Sequence, residues 1–387
     1  MRTQKTEKPC SRSSARSDAM TPIKTFLVCA PLLAALVGAG ATAGCGDEGT
    51  AAVATDYSAL LKDLTERVAL PAYQAAADKA DALVVATKAL EATPTAESLS
   101  AAQKAWREAR AAYRRLDAVA SFGPLPTLAI DARIDVYPAD PSGIEQLVKE
   151  TAPIDADYVG RLGGKKKGYL GVEYLLFAGP GGDVLAGFAP AGRRGSLARA
   201  LAEEIATSMH QVYDGWDPAK GGLAKEILDP GQAGSSVPSQ RHALDNFVGG
   251  GAFALENVVG LRLAIPLGRK SKDGQLHPEL DPTSASDSAN ADCAASMQGV
   301  LALYQTPGFT TYIRPKATAL DDKATAEMND CVSKLAAIPQ PFDAAITQST
   351  PLVQQAYDAC KAYKLTWNTD ITSTLGATLK PLDPDGD

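Results

Sequence analysis

Apolar residues recur at intervals of three and four along most of this chain, and this spacing constrains its fold more than any other feature. One stripe consists of Leu99, Ala102, Trp106, Ala109, Tyr113 and Leu116, and a second consists of Leu197, Leu201, Ile205, Met209 and Val212. Such spacing places side chains on one face of an α-helix, whereas the period-two alternation that is typical of strands is scarce. The pattern therefore predicts an all-α protein.

Further helices are predicted on both sides of an interruption near residues 179–194. They cover 56–91, with a kink at Pro71, then 240–264, 288–305, 318–337 and 348–367, and a polar linker covers 268–290. The sequences Gly-Pro-Gly-Gly and Ala-Pro-Ala-Gly in the interruption are typical of a break between helical units. We therefore expect two packed helical-bundle domains of the four-helix-bundle kind, at 56–185 and 190–380.

Three consecutive glycines at 249–251 lie inside one of these predicted helices. They follow no strand and precede no Lys-Ser or Lys-Thr, so a phosphate-binding loop is a poor interpretation. Close helix packing or a kink is the better one.

The N-terminal segment predicts export and lipidation. Lys24 precedes an apolar run that begins at Phe26 and ends in Ala43, Gly44 and Cys45. A basic start, an apolar stretch and small residues directly before a cysteine are typical of a bacterial lipoprotein signal. We therefore expect Cys45 to carry lipid.

Cleavage before this cysteine would remove residues 1–44 and leave 45–55 as a lipidated tether. The polar start is a poor signal region, so Met20 is the expected true start. Gly46 favours the outer membrane, where the protein would face the periplasm or the cell surface. The alternative is a membrane-spanning helix, which Pro31 and the small residues beside the cysteine disfavour.

The charge of the chain bears on its partners. It holds 38 Lys and Arg against 45 Asp and Glu, for a formal net charge of −7. Nucleic-acid-binding proteins normally carry a basic stripe. The compact basic run at 165–167 is interpreted as a solvated turn, and nucleic acid is not an expected partner.

Three cysteines, Cys293, Cys331 and Cys360, follow the predicted signal. Export to an oxidising compartment permits one disulfide. If the helices that carry the first two pair as an antiparallel hairpin turning near residue 312, those cysteines reach the same level. We therefore predict a Cys293–Cys331 disulfide with Cys360 as a buried free thiol. The alternative is three reduced cysteines in the core.

The segment 122–177 is too rich in proline and glycine for a plain bundle. One of its loops concentrates the charges of Arg133, Asp135 and Asp140, and Glu173 lies within the apolar stretch Val-Glu-Tyr-Leu-Leu-Phe. A carboxylate is costly to bury unless it is paired or binds a cation. This segment is therefore the candidate functional region.

Several stretches of the chain resemble the imelysin family, iron-regulated bacterial lipoproteins and periplasmic proteins once described as insulin-cleaving membrane proteases. The resemblance rests on Trp106 with Phe122-Gly-Pro124, on Arg133-Ile-Asp-Val-Tyr-Pro-Ala-Asp-Pro-Ser-Gly-Ile144, on Gly168-Tyr-Leu-Gly-Val-Glu-Tyr-Leu-Leu-Phe177, and on Leu261-Arg-Leu-Ala-Ile-Pro-Leu-Gly268. It spans most of residues 56–366. The family implies two helical bundles with a site between them around a Gly-x-His-x-x-Glu motif.

This chain departs from that motif at one position. Gly168 and Glu173 match, but Leu170 occupies the histidine position. A leucine can neither ligate a transition metal nor act as a base. The departure puts any metal or catalytic role in question.

The resemblance implies an extracytoplasmic, non-enzymatic binding protein linked to iron or metal uptake. Glu173, Asp135 and Asp140 are the candidate metal ligands, and Arg133, Tyr137, Gly168 and Leu170 the candidate ligand-binding residues. Carboxylates without histidine suit a hard cation such as ferric iron or calcium. The expected partners are the membrane, through the lipid, and a metal ion or an iron-uptake protein. The alternative is that Glu173 forms a structural ion pair with Arg133.

Two other functions remain open. One is a scaffold or partner-binding lipoprotein with a degenerate site. The other is a metallopeptidase, although His-Glu-x-x-His and Gly-x-Ser-x-Gly are both missing from the sequence. No catalytic residue is assigned on this basis.

Overall fold

α-Helices make up the fold of residues 55–178 and 182–380, the part of the chain that this computed structural model describes. The α-helices there are Ser58–Asp63 (α1), Leu70–Ala92 (α2), Ala96–Arg115 (α3), Pro124–Thr127 (α4), Asp131–Ile134 (α5), Pro141–Lys149 (α6), Ala156–Arg161 (α7), Gly168–Phe177 (α8), Arg193–Trp216 (α9), Leu223–Leu228 (α10), Gln240–Glu256 (α11), Ala289–Gln305 (α12), Thr310–Ile313 (α13), Thr318–Ala336 (α14), Phe342–Gln348 (α15), Thr350–Thr366 (α16) and Thr372–Leu375 (α17). The same residues contain no β-strand, which confirms the all-α prediction.

Three π-helical segments extend these helices. They are Leu64–Ala69 between α1 and α2, Asn257–Leu263 after α11, and Trp367–Ile371 between α16 and α17. The first lies immediately before Pro71, which occupies the first turn of α2. A proline cannot donate the backbone hydrogen bond of a regular helix, so the π turn falls where the kink was expected.

The longest helices pack side by side around one core. α2 packs along α9 and α3, and α3 also contacts α8 and α12. The described residues belong to one compact unit that begins at Thr55, and their buried apolar side chains form a shared cluster. A protein that begins at residue 46 retains this whole core. The division into domains at 56–185 and 190–380 stays a prediction, and α2 and α9 pack across it.

The α3 helix begins at a capping box and carries the predicted stripe. The Thr95 hydroxyl accepts from Ser98 N at 3.2 Å, and Thr95 N donates to the Ser98 hydroxyl at 2.9 Å. Every residue of the predicted stripe is buried. Trp106 donates its indole N–H to Tyr169 O at 2.9 Å, which joins α3 to α8. These contacts set the position of the residues that follow on α3.

Within these same ranges no helix is long and apolar enough to cross a membrane. The predicted signal, Met20, the lipidation site Cys45 and nearly all of the tether lie outside the described residues. Their roles stay predictions.

Two of the three glycines at 249–251 permit close packing. A Cβ at Gly250 would lie 2.1 Å from Ala118 O, and one at Gly251 would lie 2.0 Å from the Trp367 ring. Gly249 has open space around it, and α11 continues through all three positions. The packing interpretation therefore holds for Gly250 and Gly251 but not for Gly249.

Substitution of these glycines should separate packing from helix propensity. We expect Gly249→Ala to raise the free energy of unfolding by up to ~1 kcal/mol, because alanine favours a helix interior. Gly251→Ala should lower it by roughly 1–3 kcal/mol, because its methyl group would overlap the indole of Trp367. Urea unfolding followed by circular dichroism measures both changes, and equal effects of the two variants would contradict the packing argument.

The disulfide joins a different pair of cysteines from the one predicted. Cys331 on α14 is bonded to Cys360 on α16, with Cα atoms 4.5 Å apart, and Cys293 on α12 is a buried free thiol. The prediction of a Cys293–Cys331 bond is wrong because α14 lies chiefly against α16. The hairpin argument also took the connection near residue 312 to be a simple turn, whereas it contains α13.

Thiol counting should distinguish the two pairings. In the protein that begins at residue 46 we expect one free thiol, which reacts with a maleimide only after unfolding because Cys293 is buried. Cys331→Ser or Cys360→Ser should lower the free energy of unfolding by about 2–4 kcal/mol, the usual contribution of a loop-closing disulfide. Cys293→Ser should leave the disulfide in place, as peptide mapping without reductant would show.

Candidate functional site

A cavity of about 450 Å³ opens where α3, α4, α5, α8 and α11 approach one another. Its polar lining consists of Arg110, Tyr113, Arg114, Asp117, Asp131, Asp135, Tyr137, Asn257 and Arg262. Its apolar lining consists of Leu116, Ala120, Leu125, Leu170, Phe253, Leu261, Ile265, Leu280 and Pro282. A concave, largely apolar pocket with a few convergent polar groups is the usual form of a small-molecule site.

Two arginines on the last turns of α3 form the polar floor of this cavity. Arg110 and Arg114 lie four residues apart, so both project from the same face of the helix. Both donate to Asp135, Arg110 to Oδ1 and Arg114 to Oδ2. The Nε of Arg110 also donates to Asp292 Oδ2 at 3.0 Å, which ties α3 to the first turn of α12.

The ion pairs continue through Asp117, which lies two residues beyond the end of α3. Arg114 lies 3.5 Å from Asp117 Oδ1, and Arg262 lies 3.3 Å from Asp117 Oδ2. The Ser296 hydroxyl donates to the same Oδ2 at 2.6 Å. The result is an alternating series, which we call the arginine–aspartate chain: Asp292, Arg110, Asp135, Arg114, Asp117 and Arg262.

Burial and charge act in opposite directions on the carboxyl groups here. Burial alone would raise the pKa of Asp135, but Arg110 and Arg114 outweigh it and hold that pKa below its usual value. Burial raises the pKa of Asp131, although a hydrogen bond from the Tyr113 hydroxyl favours its ionised form. Asp135 is therefore ionised at neutral pH, and two guanidinium groups neutralise its charge.

The cavity brings together three of the residues that the sequence singled out. Asp135, Tyr137 and Leu170 all line it, and Tyr137 stands at the opening with 43% of its surface exposed. Gly168 lies behind them with a φ of +66°, and a Cβ there would lie 2.2 Å from Ile134 O. Only glycine permits this approach of α8 to the end of α5, which sets the position of Leu170.

Glu173 lies one turn further along α8 and outside the cavity lining. Its Oε1 accepts from Ser286 N at 3.0 Å and from the Ser286 hydroxyl at 2.7 Å. Burial raises the pKa of Glu173 to about 7, against the effects of the two Ser286 hydrogen bonds and of Arg110. The carboxyl group thereby anchors the 268–290 segment, part of which is buried although it was expected to be a polar linker.

Two other predicted residues lie elsewhere. Arg133 donates to Gln211 Oε1 at 3.4 Å, and the alternative of an ion pair between Arg133 and Glu173 is not found among the described residues. Asp140 caps α6 by accepting from Gly143 N at 2.9 Å, and Lys166 lies 3.9 Å away. The local Asp-Pro-Ser-Gly sequence explains this helix cap.

A metal ion does not fit the described residues. They contain no group of three or more His, Cys, Asp or Glu side chains that could hold one. Asp135 is engaged by two arginines, Asp140 is a helix cap, and Leu170 cannot ligate. The expected convergence of Glu173, Asp135 and Asp140 on a cation is therefore not found there.

Sequence reasoning missed most of the arginine–aspartate chain. Arg110 and Arg114 adjoin the apolar stripe of α3, and Arg262 lies in the apolar stretch Val-Val-Gly-Leu-Arg-Leu-Ala-Ile. A charged residue inside an apolar stretch was the signal that drew attention to Glu173, and it would have identified Arg262 as well. Asp292 and Ser286 carry no such signal.

Comparisons with known proteins agree with the fold. The sequence model of the family described as Imelysin, Peptidase_M75, matches residues 69–364. A curated relative, iron-regulated protein A of Synechococcus elongatus, is 26% identical over 238 residues, which cover 58% of this chain and 62% of the relative. The alignment thus spans less than two thirds of that protein.

Two solved structures share the fold. One is described as an iron-regulated protein A precursor from Parabacteroides distasonis, with a TM-score of 0.70, 18% identity and coverage of 82% of this chain and 94% of that one. The other is an imelysin-like protein from Psychrobacter arcticum, with a TM-score of 0.70, 17% identity and coverage of 84% and 96%. At these identities the likeness concerns the fold alone.

The raised pKa of Glu173 predicts a pH-dependent stability. A carboxyl group whose pKa is about 7 in the folded state and 4.5 when unfolded stabilises the fold below pH 4.5, and this contribution is lost as the pH rises through 7. We expect Glu173→Gln to remove on the order of 3 kcal/mol of this dependence. The glutamine still accepts from Ser286. The stability of the variant relative to wild type should therefore be higher at pH 8 than at pH 5.

Urea unfolding at pH 5, 6.5 and 8 measures this effect. Asp330→Asn, on the exposed face of α14, is the matched control and should follow the wild-type pH profile. An unchanged pH profile in Glu173→Gln would contradict the assignment.

Proposed function

This chain belongs to the imelysin family, and on that premise we propose that it is a lipid-anchored, extracytoplasmic binding protein of iron-handling cells whose ligand is a small organic molecule. The observation that carries the proposal is the cavity of about 450 Å³, in which buried arginines adjoin an apolar wall. Such a site recognises an organic molecule through shape and a few hydrogen bonds.

The surroundings of the cavity argue against a bare metal ion as the ligand. Three guanidinium groups line it, those of Arg110, Arg114 and Arg262, and they would repel a cation inside the cavity. The aspartates beside them already accept from these arginines. The link to iron rests on the name of the relative, iron-regulated protein A. Under this proposal iron would regulate production of the protein, or it would be connected with the function of the ligand.

Export and lipidation enter this proposal through the N-terminal sequence. Its apolar run and the Ala43-Gly44-Cys45 sequence support cleavage and lipid attachment, and Gly46 supports an outer-membrane location. The catalytic alternative has little support from the cavity, because no His, Cys or Ser side chain lines it.

Native mass spectrometry of the protein released from its own membranes tests the proposal. We expect a one-to-one small-molecule adduct. Ala120→Phe and Leu170→Phe should lose it, because both side chains line the cavity and a phenyl ring would fill part of it. Val85→Phe is the control, since Val85 is an exposed residue of α2 outside the lining, and it should keep the adduct.

Equilibrium dialysis against ferrous sulfate and ferric citrate, followed by elemental analysis, tests the competing view. Saturable iron binding that Glu173→Ala abolishes, with no organic adduct, would overturn the proposal in favour of a metal site. The absence of both adduct and iron would favour the scaffold alternative.

A further inference from the structure

We infer that the ligand of the arginine cavity is an uncharged molecule with an apolar body and an oxygen acceptor that receives a hydrogen bond from Asn257. This inference rests on the proposed function, since it names the class of ligand for the same site. Three features of the cavity lead to it: its charge balance, an amide without a partner, and the composition of its wall.

The charges beside the cavity balance without a ligand. Three guanidinium groups alternate with three carboxylates along the arginine–aspartate chain, and each contacts a neighbour of opposite sign. Asp131 also lines the cavity and contributes no positive charge. An anionic ligand would therefore gain no excess positive charge in exchange for its lost hydration. A cationic one would face Arg110 and Arg114.

One amide in the wall of the cavity has no partner among the described residues. Asn257 is 7% exposed and lines the cavity, and its side chain makes no hydrogen bond to another described residue. A largely buried amide without a partner is costly. Its N–H would donate to a carbonyl or hydroxyl oxygen of a ligand.

The rest of the wall suits an apolar body. Nine apolar side chains line the cavity, among them Leu170 on α8 and Phe253 on α11. Contact with such a wall removes apolar surface of a ligand from water, which favours binding roughly in proportion to the area buried. The wall therefore fits an uncharged organic ligand.

Three dyes of similar size test the class of ligand on the protein that begins at residue 46. Nile red is uncharged and carries a ring carbonyl, Nile blue replaces that carbonyl with a cationic nitrogen group, and anilinonaphthalene sulfonate is an anion. We expect Nile red to bind with one-to-one stoichiometry and a blue-shifted emission. The other two should bind at least about tenfold more weakly, because each brings an uncompensated charge.

Variants locate the binding and its hydrogen bond. Asn257→Leu keeps the approximate size of the side chain but removes its amide, and we expect Nile red to bind about 3- to 10-fold more weakly, as for one lost hydrogen bond. Asn329→Leu is the matched control, because Asn329 is an exposed residue of α14, and it should bind like wild type. Ala120→Phe should abolish binding.

The outcomes separate the two proposals. Tighter binding of the sulfonate or of Nile blue, or an unchanged affinity for Nile red in Asn257→Leu, would overturn the ligand class while leaving a binding cavity. Failure of all three dyes to bind, or equal binding in Ala120→Phe, would overturn the cavity as a binding site. If Asn257→Leu proves unfolded by circular dichroism, the comparison of dyes on the wild-type protein still decides the charge.

Discussion

The ion pairs that Arg110 forms with Asp135 and Asp292 are the interaction on which the rest of the site depends. They join α3 to the end of α5, 25 residues further along the chain, and to the start of α12, 182 residues further along. Loss of one partner from a buried pair leaves an uncompensated charge and typically costs about 3–5 kcal/mol. The paired charges therefore hold these elements together on one side of the cavity. Leu170 of α8, whose position is set by Gly168, lines the same cavity.

This floor also determines which chemistry the cavity can support. Asp135 lines the cavity, yet both of its oxygens accept from guanidinium groups. Glu173 accepts from Ser286 of the 268–290 segment, from which Leu280 and Pro282 reach the cavity wall. The two carboxylates thus have partners within the protein, and the proposed ligand would meet the apolar wall beside the arginines.

The helices could be predicted closely from the sequence, because each buries its own face and the period of that face is local. The helices expected at 288–305 and 318–337 correspond to α12 and α14 within a residue at each end. The disulfide could not be predicted in this way, since it depends on which helix lies beside α14. Geometry along the chain favoured Cys293, whereas packing places Cys360 next to Cys331.

The candidate site shows the same contrast between what is local in the sequence and what depends on long-range packing. The motif residues Gly168, Leu170 and Glu173, and the irregular segment around Asp135, were evident from local composition and from the family resemblance, because glycine, proline and isolated charges disrupt a helical pattern. The long-range pairs were not evident, since Ser286 lies 113 residues from Glu173, Asp292 lies 182 from Arg110, and Arg262 lies 145 from Asp117. Such pairing leaves no periodic trace in a sequence. By itself the sequence determined the helices, the family and the region of the candidate site. Only the tertiary structure decided that Asp135 would pair with two arginines and that Glu173 would accept from Ser286, because that depends on which groups folding brings within a few ångströms of each other.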